Sequence, residues 1–141
     1  RMNDPQVVAL ARFGAGLAHF FLGEWGVSRT SLDEALRLFR TRCRGMVFEI
    51  ATAEAVVLNA LILSGEVHAA AARVVPTLRE AEGRGDSSVV SQLLYPASIA
   101  AMLSGDHAAA ARLAHALSAL SRVLRPHGVA LRARPLGALR P

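Results

Sequence analysis

Five histidines, one cysteine and two carboxylates set among apolar residues are the side chains of this 141-residue chain best suited by type to catalysis or metal binding. Their spacing gives them no common site. His19, His68, His107, His115 and His127 form no His-Glu-x-x-His pair, and no Cys-x-x-Cys accompanies Cys43, so no bound metal is expected. His68 and His107 fall near helix starts, where they should face solvent. A serine nucleophile would need a Gly-x-Ser-x-Gly elbow or another ordered constellation, and the chain has none. All sixteen basic residues are arginine. Without lysine there can be no phosphate-loop lysine, no kinase strand lysine and no lysine Schiff base. The chain is therefore read as non-enzymatic and free of cofactors.

Glu49 and Glu54 stand in apolar sequence, and ionised carboxylates are seldom buried without partners. Pairing with an arginine of a neighbouring helix is the favoured reading, and a ligand role is the alternative. Cys43 reads as a small core residue, and as the only cysteine it can form no intrachain disulfide. That fits a reducing compartment, and no secretory leader pattern opens the chain, so a cytoplasmic location is expected. The first residue is Arg1 rather than methionine, which suggests a fragment or processed piece.

The net charge of +5 does not describe a nucleic-acid surface. Residues 1–121 carry eleven arginines against eleven acids; the excess is Arg122, Arg125, Arg132, Arg134 and Arg140. Residues 125–141, with several prolines and no sustained period, read as a disordered basic tail. Ser87 to Gly105 is uncharged and nearly long enough to span a bilayer, but Gln92, Pro96 and several serines favour a buried helix over a membrane span.

These residues must be held by helices, since no alternating run bounded by hairpin turns competes. Glycines divide the chain into six segments: about Pro5–Leu22, Trp25–Arg42, Met46–Leu63, Val67–Glu82, Ser88–Leu103 and His107–Leu124. Asp4 should cap the first, with Pro5 at its first position. The second carries an apolar line of Leu32, Ala35, Leu36, Phe39 and Cys43, and the third is apolar around most of its circumference, as suits a helix between neighbours. Pro76 should bend the fourth helix. The turns Gly23-Glu24, Gly65-Glu66 and Gly105-Asp106 recur 42 and 40 residues apart. Each follows an apolar helix and precedes an amphipathic one, so the expected fold is all-α, with three helix pairs (about 5–43, 46–83 and 87–124) stacked as one domain over residues 1–124.

This pattern resembles the tetratricopeptide family. Gly23-Glu24-Trp25, Ser28, Leu32 and Ala35-Leu36 match its turn and second helix, and Gly16 matches the small residue where the first helix meets its partner. The later units match at Gly65-Glu66, Ala70, Val74 and Leu78, and at Gly105-Asp106 and Ala110; Leu58 and Ser98 stand where the family has the earlier glycine. The family repeats at about 34 residues, so these units are longer. The resemblance implies a short right-handed solenoid whose first helices line a concave groove. Thr52, Asn59, Gln92 and Tyr95 then become candidate peptide contacts.

A second resemblance is narrower. Leu32-Asp33-Glu34-Ala35, Phe39-Arg40, Arg42-Cys43, Gly45, Glu49, Thr52-Ala53, Pro76, Leu78 to Glu82 and Arg84-Gly85-Asp86 are similar to the helical repeats that follow the ATPase module of large bacterial serine/threonine kinases of myxobacterial type. It covers most of residues 20–120 and implies a regulatory or docking region. The leading expectation is a protein-interaction or regulatory scaffold within a larger bacterial signalling protein, bound to a protein, a peptide or neighbouring domains. The alternative is a ligand-sensing helical domain with an apolar pocket. A polar groove along the first helices would favour the former, and a closed apolar pocket with Glu49 or Glu54 turned inward the latter.

Overall fold

The computed structural model describes the backbone of residues 4–83 and 87–123, and these form six helices with no strand among them. They are α1 (Pro5–Phe21), α2 (Trp25–Arg42), α3 (Val47–Leu63), α4 (Val67–Gly83), α5 (Ser87–Leu103) and α6 (His107–Val123). The tail at 125–141 with His127, the 84–86 loop, and the end of the sixth segment at Leu124 lie outside the described residues.

Local chemistry explains the boundaries. Asp4 accepts a hydrogen bond from the Gln6 backbone N–H at 2.9 Å, and Pro5 opens α1 where a missing N–H costs nothing. The three turns between paired helices are built alike. Gly23, Gly65 and Gly105 have φ of 80°, 81° and 87°, a left-handed backbone that glycine adopts without strain. In each turn the N–H after the glycine reaches back five residues (Glu24 to His19, Glu66 to Leu61, Asp106 to Ala101), and the glycine N–H reaches back three. This is the Schellman arrangement, which satisfies the last carbonyls of one helix. The carbonyl of the following acid then accepts the first bond of the next helix, from Ser28, Ala70 or Ala110. α4 and α5 run unbroken through Pro76 and Pro96.

The pairs α1/α2, α3/α4 and α5/α6 stack in chain order, and each new first helix sits on both helices of the pair before it. α1 touches α3 and α3 touches α5, yet no Cα of α2 lies within 8 Å of one in α4, nor of α4 within 8 Å of one in α6. Such a layer curves toward its first helices. α3 lies at the centre, with Ile50, Ala51, Ala53, Val57, Leu58, Ala60 and Leu61 all buried. Leu32, Ala35, Leu36 and Phe39 of α2 are buried as their spacing foretells, while Cys43 is only half-buried. Close approach within the first pair depends on Gly16. A Cβ there would lie 2.5 Å from Leu32 Cγ, and the Gly16 carbonyl accepts a 2.7 Å bond from the buried Ser28 hydroxyl. On α6 burial is weaker: Ala110, Leu113 and Leu117 are half-buried, since no described helix covers the far side of the last pair.

Candidate functional site

The four groove candidates sit on α3 and α5, thirteen, ten and six residues before the glycine of each turn. Thr52 and Gln92 hold the same position in successive units, and the stacking brings them together: the Thr52 hydroxyl donates to Gln92 Oε1 at 3.4 Å. Tyr95 lies one turn further along α5 and is 59% exposed. Asn59 is half-buried, and its Nδ2 donates to the Ala55 carbonyl of its own helix at 2.9 Å, so it is not joined to the other three. The face is mixed in character. Toward the turns it becomes apolar, where Phe21, Leu63 and Leu103 stand two residues before each glycine with half or more of their surface exposed.

The strongest electrostatic feature lies on the other side of α3. Glu54 is 3% exposed, and its two carboxylate oxygens accept from Arg40 Nη2 at 2.8 Å and from Arg73 Nε at 2.9 Å. Arg40 also binds Glu80 at 2.8 Å, and Arg73 binds Asp33 at 2.8 Å. The result is an unbroken chain, Asp33–Arg73–Glu54–Arg40–Glu80, across α2, α3 and α4. Burial works against both guanidinium charges. For Arg40 its hydrogen bonds to Glu80 and Glu54 outweigh it, and for Arg73 that to Glu54 does so with the nearby Glu54 and Asp33 charges, so both pKa values lie above the ordinary arginine value. A buried carboxylate thus finds the arginine partners its burial requires, and both Glu54 oxygens are engaged by arginine. Glu49, by contrast, is only half-buried at the start of α3.

With the pair Arg29–Glu66 at 2.6 Å, these contacts bridge α2 and α4, whose backbones stay apart. Hydrogen bonding from Arg29 holds the Glu66 carboxyl below the usual carboxylate range. Sequence reading foresaw an arginine for Glu54 but not which one. A signal was present: Asp33 and Arg40 are seven residues apart on α2, and Arg73 and Glu80 stand forty residues later in the opposite order of charge.

Between α4 and α6 the corresponding space is an open crevice of about 250 Å³, lined chiefly by Ala71, Val74, Val75, Leu78 and Leu113. Counted from their glycines, Ala71 and Val75 hold the positions of Arg29 and Asp33, and Leu113 holds that of Arg73. Apolar side chains thus stand at the positions of Arg29, Asp33 and Arg73, while Asp106, at the position of Glu66, and Arg112 also line the crevice.

His68, His107 and His115 are exposed, and no group of His, Cys, Asp or Glu among the described residues could hold a metal ion. His19 hydrogen-bonds the Glu24 carboxylate across the first turn. Among the described residues no helix is long and apolar enough to cross a membrane. No family model, no curated protein and no solved structure matches the chain.

Proposed function

We propose that this chain is a non-catalytic scaffold that binds a protein or an extended peptide along the face made by α1, α3 and α5. The observation that carries this reading is the face itself. First helices of successive pairs touch, so side chains at one register line up across units, and the polar Thr52–Gln92 pair lies beside the exposed Tyr95. Tyrosine joins a large apolar contact area to a polar tip at low entropic cost, which suits it to peptide recognition. Exposed Phe21, Leu63 and Leu103 along the same layer offer apolar contacts toward the turns. The partner is then a segment with apolar side chains at intervals and backbone groups available to amides and hydroxyls. A place in a bacterial signalling protein of the kinase/ATPase type rests on sequence resemblance alone, and a cytoplasmic location on the reducing compartment that a lone Cys43 fits.

Selection of a random displayed peptide library on the full chain tests this. Selected peptides should bind with micromolar Kd by calorimetry, and Tyr95→Ala or Gln92→Ala should weaken them at least tenfold without loss of helicity. Binding indifferent to substitutions on this face would overturn the assignment.

A ligand-sensing role is favoured by one observation, the apolar crevice between α4 and α6. It is open rather than closed, and the inward carboxylate that would have marked a sensor, Glu54, is taken up by two arginines. Protection of Val75 and Leu113 methyl signals by an apolar small molecule, with no effect at Tyr95, would support this role in place of the scaffold.

A further inference from the structure

The two ends of the array are written as though each had a neighbour. In α3, Ala53, Val57 and Ala60 are 0%, 0% and 1% exposed; in α5 the same register positions, Leu93, Ala97 and Ala100, are 1%, 0% and 0% exposed. In α1 they are Ala11, Ala15 and Ala18, and all three are exposed. Val8, at the position of the buried Ile50, is 37% exposed, and Val7 beside it is 53% exposed. α1 differs from α3 and α5 in lacking a preceding pair among the described residues, so this is the face with which a first helix docks on the pair before it. Arg12 sits at the position of Glu54 but is drawn aside to Glu34 of α2 at 3.1 Å, which leaves the face without a bare charge.

The opposite end carries the complement. α3 lies across α1 and α2, and α5 lies across α3 and α4. The equivalent crease between α5 and α6 has no described helix on it. It is an open groove of about 280 Å³ lined by Ser98, Ile99, Met102, Ala110, Ala111 and Ala114, with Met102 53% exposed and no charged residue in the lining. Repeat arrays generally need polar outer faces on their terminal units to stay soluble as single chains, and among the described residues the α1 face and the α5/α6 crease are largely apolar.

We infer that the chain associates with a second copy of itself head to tail, α1 of one copy lying in the α5/α6 crease of the next, as α3 and α5 lie on the pairs before them. This continues the two junctions inside the chain. The contact is heterologous: it uses different surfaces on the two copies and leaves a free end on each, so it extends rather than closing as a two-fold dimer would.

Sedimentation velocity on the full chain tests it through two exposed alanines whose replacement touches no interior contact. The wild type should show a weight-average mass that rises with concentration beyond twice that of one chain. Ala15→Glu spoils only the α1 end and Ala114→Glu only the crease, and each variant alone should sediment as a single chain with unchanged helicity. Mixed in equal amounts, the two should form a dimer and nothing larger, because one intact end remains on each. A wild type that stays monomeric at every concentration would overturn the inference, showing the ends covered by the chain's own remaining residues. So would association that survives both substitutions, or a mixture in which no dimer appears.

Discussion

Replacing Glu54 by leucine strands two guanidinium groups beside the most buried acid among the described residues. Breaking a buried ion pair by removing one partner costs about 3–5 kcal/mol in general. Here the cost should fall below that range for two reasons. Arg40 and Arg73 keep 32% and 26% of their side-chain surface in solvent, and each retains a second carboxylate at 2.8 Å, Glu80 or Asp33. About 2–3 kcal/mol is expected for Glu54→Leu, the loss of two charge-assisted bonds discounted for water. The repeat itself supplies the compensating change. Leu94 occupies the position of Glu54 in the third pair at 4% exposure, and Leu113 occupies that of Arg73. Apolar replacement of a whole buried ion pair is often near neutral. Glu54→Leu with Arg73→Leu should therefore stand within about 1 kcal/mol of the wild type, and the cycle should return a coupling of about 2 kcal/mol or more. Urea melts followed by far-ultraviolet circular dichroism would read these values from shifts in midpoint at constant m. A neutral Glu54→Leu, or a double variant that costs the sum of the singles, would refute the view that the network is one cooperative unit.

Gly65→Val and Gly105→Val should each cost about 1–2 kcal/mol because the residue must hold φ near +81° or +87°, and Gly65→Asn should cost less; nothing lies within 4 Å of either site, so a large loss with asparagine as well would point to something other than backbone strain. Two glycines within helices should respond with opposite signs: Gly16→Ala forces a methyl to 2.5 Å from Leu32 and should destabilise by about 1–3 kcal/mol, whereas Gly26→Ala meets open space and should stabilise by about 0.5–1 kcal/mol, both read from denaturant midpoints. The Glu66 carboxyl titrates below its ordinary range, so its contribution is complete above that range and is lost as pH falls through the folded value; the stability difference between wild type and Glu66→Gln should shrink toward zero on acidification, and a difference that grows would reverse the assignment.

What was legible in the sequence was local. A glycine followed by an acid, between an apolar and an amphipathic run, fixes a left-handed cap and the start of the next helix within a few bonds, and all three such turns form. The burial of α3 followed from its being apolar all round. The partners of Glu54 could not be read the same way, since Arg40 and Arg73 come from two other helices and compete with many other arginines in the body of the chain. Their selection depends on how far α4 slides along α2, a quantity no single helix contains. Among the groove candidates, Thr52 and Gln92 meet because they share a register, whereas Asn59 turns back to its own backbone because the Ala55 carbonyl lies one turn away.

The same register explains what the charges between α2 and α4 achieve, given that exposed pairs add little stability. The rungs run Arg29–Glu66, Asp33–Arg73 and Arg40–Glu80 along two parallel helices. Slide α4 by one turn toward the end of α2, and Glu66 meets Asp33 while Arg73 meets Arg37. Slide it one turn the other way, and Arg73 meets Arg29 while Glu80 faces the apolar Leu36. Each displacement sets like charges together or leaves a charge beside a hydrocarbon, so the correct register is chosen mainly by penalising its neighbours. Between α4 and α6 the counterparts Ala71, Val75 and Leu113 are apolar, so a one-turn slip sets no like charges together at these positions. The first junction is thus held in register by charge, and the second, at these three positions, by packing. Replacing both Arg29 and Asp33 by alanine, as Ala71 already replaces the first, should leave the melt broadly intact and broaden the backbone amide signals of α4. Sharp, unshifted α4 signals in that variant would mean that α3 alone sets the register.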